Sequence, residues 1–568
     1  MKHAPSRAEE RGQLSCAGIV IGCVGCVIIT ASSMYTALKM GALPWPTIFT
    51  SITALVLLRA LGRTSLNEAN ITQVIMSAGS MVAGGIAFTV PGIWMLGLAD
   101  EVSPAELLAA ALAGTLLGLV CTALIRRRFV EESDLEYPIG TAAAKTLQAS
   151  RAGGATGRAL FGSMGLAGAW CVARDVLGVV PTMLAALPIP GVSFAVYNSP
   201  MLLSVGFLVG GAAVAFWFAG AVLGNFGIIV GGTAAGLWDV AGAQGIVSSL
   251  GMGLMMGSGL GVIVRDILPK TAGMLRRARA GREGGAAEGG ARMGRVDAGA
   301  LGLFTAAAAL LACFGIGLSP AVCAVVVALS FVTTIMSAQS VGQTGIAPME
   351  IFGLIVLLVV AALGESDQVK LFFVACVIAI ACGLAGDVMS DFKTGAIIGT
   401  DPRALWRGQA AGALLGCLVS VAVMLVLVQA YGTGAFGPGQ TFVAAQASVV
   451  ATMVSGIPSV PAFLAGLAAG ILLHCAGLPS MMLGLGVYLP FYMSLTAALG
   501  ALAKAVYDRV GAAKAQKLGS TASDAPHGTE AETTHEERGI IVASGVLGGE
   551  SIVGVIIALA SVAMGLAG

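Results

Sequence analysis

Runs of about twenty apolar residues recur from one end of the chain to the other, separated by short breaks that are polar or rich in Gly and Pro. Each run is long enough to cross a bilayer as a helix, which needs roughly 20 residues. The pattern predicts spans at about 14–37, 44–62, 69–99, 104–125, 158–181, 200–220, 222–240 and 246–264. A second set follows at about 299–317, 320–338, 351–364, 369–386, 408–430, 441–457, 459–476, 479–503 and 540–565. Several are short or interrupted. The expectation is an all-α, polytopic membrane protein with broken or re-entrant elements.

Two stretches stand apart from this pattern. Residues 265–298 are rich in Gly, Ala and Arg and read as a flexible connector. They divide an N-terminal transmembrane half (1–264) from a C-terminal half (299–503). A polar segment, 504–538, holds His527 and His535 amid Ser, Thr and Glu and reads as a disordered linker before a final helix, 539–568.

Composition agrees with a bilayer as solvent. The chain is 57% hydrophobic and 10% charged, with a mean hydropathy of +0.92, whereas soluble domains carry roughly 25% charged residues. A net charge of +1 points to no nucleic-acid partner. The 11 cysteines, Cys23 and Cys26 among them, fall in apolar runs and read as small core residues, not a disulfide framework or a metal site. The first apolar run is too long for a cleaved signal peptide and is taken as the first span. Arginines cluster at Arg59, Arg63, Arg126–Arg128 and through the 265–298 connector, while alternate loops such as 99–103 and 182–199 lack Lys and Arg. The positive-inside rule therefore puts the N-terminus and the connector in the cytoplasm, with the chain in the cytoplasmic membrane.

The stretch Gly383–Gly395, GLAGDVMSDFKTG, follows an apolar run and carries Asp387, Asp391 and Lys393. If the helix continues through it, the two carboxylates share one face, and groups that close repel unless a proton is taken up. Lys393, two positions further on, would point elsewhere unless the helix breaks at Gly395. Such charges mark an ion or substrate path, or else a solvated helix end. Glu550 lies inside the last apolar run as a lone carboxylate. With Glu68, these make four proton-coupling candidates: Asp387, Asp391, Glu550 and Glu68. His474 is a further candidate for proton coupling, or else a neutral, packed histidine.

Leu66-Asn-Glu-Ala-Asn-Ile-Thr-Gln73 opens the third span, with Asn67, Asn70, Gln73 and Ser77 forming one polar stripe. It should face protein or a wet cavity, since amides facing hydrocarbon would go unpaired. Gly84, Gly85 and Pro91 predict a break in the same span that brings Thr89 to the midplane, where discontinuous helices expose backbone to substrate. Leu135-Glu-Tyr-Pro-Ile-Gly-Thr-Ala-Ala-Ala-Lys145 is too short to cross. It fits a re-entrant half-helix starting after Pro138, with Tyr137 and Thr141 near the tip, or an ordinary cytoplasmic helix. Tyr488-Leu-Pro490 puts an aromatic and a proline inside a later span. Lys39 lies near the outer surface, where a long side chain snorkels. The substrate-path set is thus Asn67, Asn70, Gln73, Thr89, Tyr137, Thr141 and Tyr488, with Lys39 and Lys393 as further charges.

As an ordered set, YTALKMG…LPWPTIF, LNEANITQ…SAG…GGIAFTVP, LEYPIGTA, GDVMSDFKTG…DPR, LGVYLP and ASGVLGGES resemble the oligopeptide transporter family. The match runs from the first span to the last and looks most like the prokaryotic and yellow-stripe-like branch. The NPG and KIPPR motifs of the fungal and plant peptide branch are missing. The resemblance implies about 16 spans and proton-coupled uptake of small peptides, or of metal complexes with peptide-like chelators. It implies no cofactor and leaves the oligomeric state open. No P-loop is present, so ATP is not the expected energy source. An intramembrane aspartyl protease would need glycine at 384, where Leu384 stands, and no HExxH or GxSxG motif occurs. A channel is the remaining alternative, and accumulation against a gradient separates it from a carrier.

Overall fold

The computed structural model describes residues 13–41, 43, 47–98, 102–133, 135, 137–149, 154–209, 211–262, 264–265, 298–344, 347, 349–455, 457–519 and 535–567. The basic stretch within 265–298, Trp45 and His527 lie outside them. In chain order the helices are α1 Cys16–Met40, α2 Thr47–Ala60, α3 Leu66–Ala87, α4 Pro91–Met95, α5 Pro104–Arg126, α6 Pro138–Ala149 and α7 Gly154–Asp175. A hairpin of β1 Met183–Ile189 and β2 Val192–Tyr197 follows. Then come α8 Pro200–Val209, α9 Gly211–Val222, α10 Val240–Val262, α11 Ala298–Leu310, α12 Pro320–Thr344, α13 Met349–Ala362, α14 Gln368–Ile398 and α15 Pro402–Tyr431. The chain closes with α16 Ala445–Ser455, α17 Val460–Cys475, α18 Ser480–Tyr488, α19 Phe491–Gly519 and α20 His535–Ala567. Among the described residues, 8 helices are long and apolar enough to cross a membrane, with shorter apolar helices between them.

The centre of the molecule is α14. Its residues from Val369 to Gly395 are buried, with Lys370 and Lys393 the exceptions. A helix that is apolar all round is a core element, and α3, α5, α6, α12 and α13 pack around it. On the far side of α3 lie α1 and α15. A second group is built on α10 with α17 and α18, joined by α9, and on α8 with α19. The two groups interleave sequence from both sides of the 265–298 connector. The last helix, α20, packs on α7 and α8 and also on α1 and α15, so it bridges them.

Between α3 and α15 the backbones nearly touch: a Cβ added at Gly416 would lie 2.1 Å from the Cα of Gly79. Small residues at such crossings let membrane helices approach closely. Backbone cannot yield as a side-chain tip can. Gly416→Val is therefore expected to lower the thermal unfolding midpoint clearly, since overpacking costs about 1–3 kcal/mol or more. Gly162→Val, at a site with nothing within 4 Å, should change it little.

Three expectations need correction. The connection 182–199, expected only as a loop between spans, contains an antiparallel hairpin, with Met183 paired to Tyr197 and Ile189 to Val192. The spans placed at 200–220 and 222–240 divide differently, because the helix from Gly211 runs on through a widened π stretch, Leu223–Gly231, to Ala234. The 504–538 segment is partly helical: α19 continues to Gly519 and α20 starts at His535. There the ring of His535 stacks on Tyr507, with centroids 3.9 Å apart.

Candidate functional site

Because α14 runs unbroken through Gly383–Gly395, Asp387 and Asp391 stand one turn apart on it, both buried. Gln73 of α3 donates from Nε2 to Oδ1 of Asp391 at 3.0 Å. The second oxygen of Asp391 and both oxygens of Asp387 have no hydrogen-bond partner among the described residues. Lys393 does not neutralise the pair, as its side chain leaves the other way and donates to the carbonyl of Leu135 at 2.8 Å. Two acids therefore share a buried site whose one resolved partner is an amide. Burying charge without a counter-ion is costly, and taking up a proton removes that cost.

The polar stripe of α3 faces α14, away from lipid. Asn70 donates to the hydroxyl of Thr400 at 3.0 Å, and Thr400 donates to Asn67 at 3.1 Å, so both amides are tied to the turn that ends α14. Glu68 is held on the same helix by Arg63 at 2.6 Å and by the hydroxyl of Ser15. The break in α3 falls where Gly84, Gly85 and Pro91 place it: the helix stops at Ala87 and α4 restarts at Pro91. Thr89 lies in that break, buried, with its hydroxyl on the carbonyl of Gly85 at 2.7 Å.

The short helix α6 begins at Pro138 and is fastened to α14 beside the acid pair. Thr394 donates to the carbonyl of Gly140 at 2.8 Å, and a Cβ at Gly140 would meet the carbonyl oxygen of Ser390 at 2.2 Å. Before the proline, Tyr137 is fully buried in a left-handed conformation (φ 45°). Its hydroxyl donates to Ala338 at 3.2 Å and its N–H to Gly342 at 3.0 Å. Thr141 is half-buried one turn on. Tyr488 sits apart from these, at the end of α18, among residues of α10 and α16 where the two helix groups meet.

Glu550 is not a lone carboxylate. Arg174 of α7 pairs with it at 2.9 Å, both side chains being buried. Ser199 donates its hydroxyl at 2.9 Å and the N–H of Met201 at 2.8 Å, so Glu550 also caps the start of α8. Arg174 further holds Asp175 at 2.6 Å and donates to the carbonyl of Asn198 at 2.6 Å. Sequence reasoning passed over Arg174, although an arginine within the apolar run 158–181 is the kind of signal used for Glu550. It also passed over Glu350, buried in the first turn of α13. Its neighbour Met349 packs against Gly84 and Gly383, one turn before Asp387. The predicted span began at 351 and left Glu350 in a loop. Among the described residues no three His, Cys, Asp or Glu side chains converge as metal ligands.

Membrane-length helices around a central apolar helix, with a buried acid pair in it, define a multi-pass helical membrane protein. The chain belongs to the OPT oligopeptide transporter family, whose model matches residues 13–561. It is a membrane transporter and not an enzyme. A Haemophilus influenzae protein named "Putative oligopeptide transporter" is 25% identical over 614 residues, covering 92% of each chain. Shorter matches join it to plant proteins. The Arabidopsis thaliana metal-nicotianamine transporter YSL2 is 34% identical over 100 residues, 17% of this chain and 15% of its own. The Oryza sativa metal-nicotianamine transporter YSL2 is 33% identical over 96 residues, 16% of this chain and 14% of its own.

Proposed function

We propose that the protein carries small oligopeptides inward across the cytoplasmic membrane in symport with protons, its N-terminus and 265–298 connector facing the cytoplasm. The observation that carries this reading is the acid pair Asp387–Asp391. A proton taken by the pair neutralises charge in the buried site, and its release restores the repulsion. Substrate and proton then move together if the protonated pair favours one orientation of the surrounding helices and the ionised pair the other. Glu68 and Glu550 are held by arginines and take structural roles in this account. Read as a re-entrant half-helix, α6 joins the break between α3 and α4 in lending the discontinuous backbone that such carriers place along the path.

A second reading, transport of metal–chelate complexes, draws support from the match to the metal-nicotianamine transporters. Uptake into proteoliposomes separates the two. With an inward proton gradient, labelled di- to hexapeptides are expected to accumulate above equilibrium and to leave when a protonophore is added. Accumulation of metal-loaded chelate alone would favour the second reading. Mere equilibration of every solute would rule out proton-driven accumulation.

A further inference from the structure

At the end of the molecule opposite the acid pair, α1 delivers a second charge whose surroundings differ. Lys39, in its last turn, is half-buried, with its ammonium 5.8 Å from the ring centre of Tyr35 and 5.5 Å from that of Phe442. No ion pair or hydrogen bond holds it among the described residues. The carboxylates whose field reaches it, Glu550 and Asp175, are both taken by Arg174. A lysine that merely snorkels reaches for water, whereas this one lies over an aromatic wall. Phe442 stacks on Phe436 and meets Tyr35 and Tyr431 edge-on, with centroids 5.2–5.6 Å apart.

The wall is fixed in place. The N–H of Ala444 donates to the carbonyl of Leu38 at 2.9 Å, and Gln446 donates to the carbonyl of Gly41 at 3.2 Å. Phe442 itself is clasped through its N–H to Ala435 and through its carbonyl from Gly437. The segment carrying the ring and the helix carrying the lysine are thus bound to each other, so the cation is held in position before anything arrives. A preorganised cation with aromatic sides matches an anionic group next to apolar surface.

We propose that Lys39 is the docking point for a carboxylate of the transported molecule. The inference rests on the transporter reading above and names the group that the site recognises. A peptide's C-terminal carboxylate and the carboxylates of a metal chelate share that chemistry, and the test separates them. A charge-assisted contact of this kind corresponds to about ten- to hundredfold in affinity.

Purified protein would be titrated with trialanine, trialanine amide and iron(III)–EDTA, and uptake of the same probes followed in proteoliposomes. Lys39→Gln is expected to weaken binding of whichever carboxylate probe the wild type accumulates by about ten- to hundredfold, to leave trialanine amide unaffected, and to be rescued in large part by Lys39→Arg. The probe whose affinity falls identifies peptide or chelate as the source of the carboxylate. If Lys39→Gln binds that probe as tightly as the wild type, or loses acid and amide alike, the inference is overturned while the carrier reading stands. If the wild type accumulates neither carboxylate probe, the proposed proton-driven uptake of peptide or chelate falls and takes the inference with it.

Discussion

Asp387→Asn is expected to abolish gradient-driven accumulation while leaving the protein as stable as before, or more so. Both carboxylate oxygens of Asp387 are buried without a partner among the described residues. Asparagine keeps the shape and removes the charge, so the substitution relieves repulsion from Asp391 and sacrifices no resolved hydrogen bond. A residue there for packing or stability would behave in the opposite way. Asp391→Asn should weaken coupling too, at some cost in stability, because it alters the bond from Gln73. Uptake and thermal unfolding measured on the same preparations separate the two effects. A stable Asp387→Asn that still accumulates substrate would remove Asp387 from the coupling step.

The second large effect falls on stability. Arg174→Met is expected to destabilise the protein by about 3–5 kcal/mol, the usual result of stripping the partner from a buried charge. Glu550 would keep Ser199 and the N–H of Met201 but lose its cation, and the links from α7 to α20 and to the carbonyl of Asn198 would go with it. Glu550→Gln should cost less, since Arg174 retains Asp175 and Asn198. It should also leave proton-driven uptake in place. Thermal unfolding of the purified variants gives the ranking, and equal losses from Arg174→Met and Glu550→Gln would contradict it.

Much of the molecule was legible in the sequence because the membrane enforces simple rules. Apolar runs marked the long helices, Gly84, Gly85 and Pro91 marked the break after Ala87, and Pro138 marked the start of α6. The four-residue spacing of Asp387 and Asp391 became meaningful once the helix proved continuous. What stayed hidden depends on distant partners or weak patterning. Arg174 and Glu550 are 376 residues apart, and nothing local to either announces the other. The hairpin escaped because MLAALPI has no alternation of polar and apolar positions, so it carries no period-two signal. Residues 200–240 were divided wrongly because an all-apolar stretch says little about where one helix yields to the next. Lys39 could be placed near one surface from its sequence, but the aromatic wall beneath it comes from residues 436–442, about four hundred positions away.

The most direct test of the account is substrate-driven proton movement in proteoliposomes carrying a trapped pH dye. Adding trialanine to wild-type vesicles without a preset gradient should acidify the lumen, and the same addition to Asp387→Asn vesicles should not. Acidification that persists in Asp387→Asn, or substrate accumulation in the wild type without proton movement, would contradict the claim that the buried acid pair couples transport.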